Sequence, residues 1–75
     1  MIIDARILKL ADEYGFILTD CYNESERYPL EGIDVELAVF SPVRNDADKN
    51  AFRIRLEDIG AHLCADTDED VTIIL

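Results

Sequence analysis

The apolar residues of this chain recur first with a helical period and then with a period of two. Ile3, Ile7, Leu10, Ala11 and Tyr14 fall on one stripe through "DARILKLADEYG", the spacing that buries one face of a helix. Asp4 can cap the start, and Gly15 can take the left-handed conformation that ends it. Arg6 and Lys9 stand early and Asp12 and Glu13 late, against the helix dipole, and so short a helix is not stable alone. It needs a sheet to lie on.

The next segment, "FILTDCY" (residues 16 to 22), is rich in aromatic and β-branched types and predicts a strand. "NESERYPLEG" follows as a loop, with Asn23, Pro29 and Gly32 as turn formers. In "IDVELAVF" (residues 33 to 40) Ile33, Val35, Leu37 and Val39 alternate with Asp34 and Glu36, the clearest strand pattern of the chain. After the polar connection "SPVRNDADKN", Phe52, Ile54 and Leu56 alternate with Arg53 and Arg55. A hairpin with Leu37 opposite Ile54 would match every apolar position and set Glu36 against Arg55. Residues 58 to 66 are ambiguous. Ile59, Ala61, Leu63 and Ala65 fit a strand, the preferred reading, while Leu56, Ile59, Gly60, Leu63 and Cys64 fit a helix. "DTDED" is an acidic turn before a terminal strand "VTIIL". The expected fold is a small single α+β domain over residues 1–75, an N-terminal helix packed on a mainly antiparallel sheet of three to five strands.

Length and charge sharpen this picture. A chain of 75 residues buries only about 60 to 65% of its unfolded surface on folding. Stability is expected to be marginal. With 17 acidic and 7 basic residues the formal net charge is −10, yet apolar residues are plentiful and patterned, so the charge belongs to a folded surface rather than a disordered chain. "EDIGAHLCADTDED" holds six carboxylates with only His62 as a cation. Such a field repels nucleic acid and anionic membranes and attracts basic surfaces. No apolar run spans a membrane or forms a secretory signal, so a cytoplasmic location is expected.

The stretch closest to a chemical motif is "DADKNAFRIRLE" (residues 46 to 57), where Asp46, Asp48, Asn50 and Glu57 stand at positions one, three, five and twelve of a calcium loop. Position six is Ala51, not glycine, position eight is Arg53, and Pro42 stands in the segment that would be the entering helix. The acidic residues read instead as turn formers. Asp66, Asp68 and Asp70 have ligand-like spacing, but Val71 stands where glycine is needed. Cys21, Cys64 and His62 are too few for a zinc site. His62 and Cys64 would share a face of a strand, as an activated thiol requires, but no third orienting group accompanies them. Arg44, Lys49, Arg53 and Arg55 are the only basic cluster, and acidic neighbours are expected to cancel it.

By elimination, the expected function is that of an acidic protein-interaction module without enzymatic activity or cofactor. Its concrete form is an inhibitor that docks on a basic, nucleic-acid-handling protein by presenting carboxylates where phosphates would lie. Anti-CRISPR and anti-restriction factors of phages and mobile elements, and immunity proteins against nuclease toxins, act in this way. The expected contact residues are Asp66, Asp68, Glu69 and Asp70, then Asp20, Tyr22, Glu24 and Glu26. Tyrosine among carboxylates suits a contact patch. A structural or assembly protein that self-associates, as a homodimer for example, or docks through an exposed "VTIIL" strand edge is the alternative. A weak divalent-cation binder is the third, and acidity serving solubility alone is the competing account.

Overall fold

The computed structural model describes residues 3–24, 35–64 and 68–75. The elements in chain order are α1 (Ala5–Tyr14), β1 (Phe16–Glu24), β2 (Val35–Pro42), α2 (Lys49–Asp58), β3 (His62–Leu63) and β4 (Val71–Ile74). The strands form one antiparallel sheet in the order β1-β2-β4-β3. This is the expected α+β architecture, with one helix more than the sequence suggested.

The first helix forms as its ends dictate. Asp4 accepts the Arg6 N–H at 2.9 Å, and Gly15 closes the helix at φ 79°, donating back to Ala11 and Asp12. Ile7, Leu10 and Ala11 face inward, with Ile3 and Tyr14 packed at the margin. The chain then turns directly into β1.

The second helix overturns an expectation. Residues 52 to 56 are α-helical, so the hairpin of Leu37 with Ile54 and the pairing of Glu36 with Arg55 do not exist. Phe52 and Leu56 lie one helical turn apart and both are fully buried, whereas Ile54 points outward with 60 % of its surface exposed. Three alternating apolar residues satisfy a strand, but two of them also satisfy the i, i+4 spacing of a helix. The ends and the composition decide between them. Asp48 accepts the Ala51 N–H at 3.0 Å as an N-cap. At the other end Gly60, at φ 85°, donates to Glu57 O at 2.9 Å and Ala61 donates to Leu56 O at 2.9 Å, the paired bonds that close a helix on a left-handed glycine. Ala51, Arg53, Arg55, Leu56 and Glu57 between them are good helix formers.

Both helices cover one face of the sheet. Their inward residues meet Phe16 of β1, Ala38 and Phe40 of β2, and Val71 and Ile73 of β4 in one core. Phe52 is its centre, with ring centroids 4.7 Å from Phe16, 5.9 Å from Phe40 and 6.2 Å from Tyr14. Leu37 is also buried, but alternation places it on the opposite face, in register with Tyr22 and Ile74.

The sheet also revises the reading of the C-terminal segment. Of the strand expected within residues 58 to 66, the described residues hold His62 and Leu63, because Ile59 and Gly60 finish α2; residues 65 and 66 lie outside the described residues. β4 pairs with β2 on one side and β3 on the other. "VTIIL" is therefore an interior strand and not an adhesive edge. Among the described residues the edge strands are β1 and the two-residue β3.

Candidate functional site

The sequence-derived contact residues fall into two groups set on either side of β2. The first belongs to the turn that leads into β4. Asp68 and Glu69 are exposed and Asp70 is half-buried. Asp68 has φ 54°, a left-handed conformation that Asp tolerates better than most residues. Lys49, the first residue of α2, donates from Nζ to the Asp68 backbone O at 2.5 Å. A lysine on the helix thus holds the acidic turn. The turn borders an open cleft of about 460 Å³ whose lining includes Phe16, Val43, Arg44, Lys49, Asp68 and Glu69. Asp66 lies outside the described residues.

The second group is on β1. A β-bulge at Thr19, between Leu18 and Asp20, shifts the register, so that Asp20 stands opposite Val39, Tyr22 opposite Leu37 and Glu24 opposite Val35. Asp20 and Tyr22 alternate onto the face away from the helices. Thr19 Oγ1 lies 3.2 Å from Val39 O, which accepts from it, and 2.9 Å from Ser41 Oγ, which anchors the bulge. Asp20 Oδ1 accepts the Cys21 N–H at 2.8 Å. Asp20 and Tyr22 are both exposed. Glu26 lies outside the described residues. Thr72 of β4 shares the Val39 row with Asp20, which sets them about 10 Å apart by strand spacing.

The carboxylates of "DADKNAFRIRLE" do not converge as a calcium loop would need. Asp48 is engaged in capping α2, Asp46 forms an ion pair with Arg44 at 3.2 Å, and Glu57 is exposed near the far end of α2. The loop they occupy leads into a helix and not, as the alternation suggested, into a second hairpin strand. Among the described residues no group of three or more His, Cys, Asp or Glu could hold a metal ion. Cys21 and Cys64 are half-buried thiols, and the exposed His62 stands opposite Ile74.

The described carboxylates share one property. No polar or charged side chain is buried among the described residues, so their charge lies on the surface. The Asp4 carboxyl is held below its ordinary range by the Arg6 side-chain hydrogen bond and then by the Arg6 N–H. Sequence reasoning missed two features here. The contact of Lys49 with the acidic turn joins residues 19 positions apart and left no local signal. The exposure of Ile17 (53 %) and Leu18 (37 %) depends on β1 being an edge, which only the strand order reveals. Among the described residues no helix is long and apolar enough to cross a membrane. Comparison with protein-family models, curated proteins and solved structures gives no match for this chain.

Proposed function

We propose that this protein is an interaction module that docks through its carboxylates on a basic partner. Its most concrete form is an inhibitor that occupies a nucleic-acid-binding surface, of the anti-CRISPR, anti-restriction or immunity-protein type. The observation that carries the reading is the separation of charge from core: a net charge of −10 stands over an interior with no buried polar side chain among the described residues. An acidic surface of this kind accelerates encounter with a basic one and imitates the charge of a phosphate backbone. The acidic turn at Asp68, Glu69 and Asp70 and the β1 row at Asp20, Tyr22 and Glu24 are the contact groups, with Asp66 and Glu26 next to them in sequence. The protein acts in this account by binding, in the cytoplasm, and not by catalysis.

The test is affinity capture from nuclease-treated host lysate at low and at high salt, with bound proteins identified by mass spectrometry. The expected result is a basic, nucleic-acid-handling protein held at low salt and released at high salt, whose binding to DNA or RNA this chain then competes away. Replacing Asp66, Asp68, Glu69 and Asp70 by asparagine and serine is expected to slow association and flatten its salt dependence. Capture of no such partner would overturn the inhibitor reading, and unchanged association of that variant would remove the acidic turn from the account.

A further inference from the structure

We infer that the outer edge of β1 takes an extended, basic segment of the partner as a further strand of the sheet. The inference rests on the docking reading above and names the element that does the docking. β1 is nine residues long, stands at the end of the strand order, and pairs among the described residues only with β2. Such an edge presents backbone N–H and C=O groups to any extended chain of suitable shape. The opposite edge, β3, has two residues and offers almost nothing.

The residues on β1 select the occupant. Strand edges are ordinarily guarded by lysine, by proline or by a covering element, and Phe16–Glu24 contains no lysine, arginine or proline. It carries three large exposed apolar side chains instead, Ile17, Leu18 and Tyr22. Acidic Asp20 stands between them, and Glu24 ends the strand. Two copies of this chain pairing antiparallel through β1 would bring Asp20 towards Asp20 and a charge of −10 towards another, and like charges across a strand pair are destabilising. A segment with lysine or arginine at every second position meets no such penalty. Its cations fall beside Asp20 on the outer face, its intervening aliphatic residues fall beside Leu18 on the helix side, and its backbone satisfies the edge.

The probe is a fluorescent nine-residue peptide alternating lysine and valine, with two variants N-methylated either at the lysines or at the valines. In an added strand only alternate N–H groups face the sheet. One methylated peptide is therefore expected to bind about ten-fold or more weakly than its parent, through loss of several main-chain hydrogen bonds, while the other stays close to the parent. Amide exchange on β1 is expected to slow with the parent peptide, and Asp20→Lys to weaken it about five-fold. Equal binding of both methylated peptides means side-chain attraction alone, which overturns strand addition and leaves carboxylate docking standing. A captured basic partner that binds Asp20→Lys as tightly as the native chain has the same meaning, as does failure of every peptide to bind. Concentration-dependent association of the protein alone, with slowed β1 amides, would assign the edge to a second copy and overturn the inference.

Discussion

Phe52 and Ile54 are two residues apart and have opposite consequences. Phe52 is fully buried and stacks on Phe16, with Phe40 edge-on and Tyr14 further out, so its ring belongs to both helices' contact with the sheet. Truncating such a side chain removes its burial and leaves a cavity, which together cost about 3 to 5 kcal/mol. In a domain whose whole stability is of that order, Phe52→Ala is expected to be largely unfolded at 25 °C, as read by urea denaturation. Ile54 is mostly exposed on α2, and Ile54→Gln is expected to change stability by no more than about 0.5 kcal/mol. A hairpin reading predicts a large loss at both positions. Equal losses would restore the strand and remove α2.

The elements were legible wherever the sequence offered one pattern and obscure wherever it offered two. Asp4, the stripe from Ile7 to Tyr14 and Gly15 agree on a single helix, and α1 spans Ala5–Tyr14. The β-branched and aromatic run after Gly15 and the alternation through Val39 likewise mark β1 and β2. At Phe52, Ile54 and Leu56 the period was ambiguous, and the decisive evidence sat at the ends, in Asp48 and Gly60. Acidic residues that resembled ligands were in part a cap. Asp48→Ala is accordingly expected to cost about 1 kcal/mol, whereas Asp48→Asn, which keeps an acceptor for the Ala51 N–H, is expected to cost much less; chemical denaturation of the two variants checks this. Asp4 adds a pH dependence. Its folded pKa is depressed, chiefly by the Arg6 side-chain hydrogen bond, so its contribution is present above the ordinary carboxylate pKa of about 4 and is lost as pH falls through the lower folded value. Asp4→Asn is expected to lose stability less steeply than the native chain below pH of about 4, measured by unfolding at stepped pH. The candidate site was legible as composition and obscure as geometry, because the strand order that makes β1 an edge and the Lys49 contact that holds the acidic turn join residues far apart in sequence.

At the scale of the whole molecule the same charge opposes folding and favours binding, and salt separates the two effects. A compact domain with a net charge of −10 repels itself. The ion pairs of Arg6 with Asp4 and of Arg44 with Asp46 are exposed and offset little of this. The screening length falls from about 30 Å at 0.01 M salt, comparable to the 38 × 24 × 19 Å extents of the domain, to about 8 Å at 0.15 M. Relief of self-repulsion on the order of 1 kcal/mol corresponds to about 4 to 8 °C in a domain this small, so the melting temperature is expected to rise by about that much over this range of sodium chloride. Docking on a basic partner is expected to weaken over the same range, chiefly through slower association. Calorimetry and stopped-flow association measured in the same buffers should therefore move in opposite directions. A melting temperature indifferent to salt would mean that local pairing already cancels the field. The acidic surface would then be too weak to steer a partner, and any binding would have to come from the apolar and backbone groups of β1 instead.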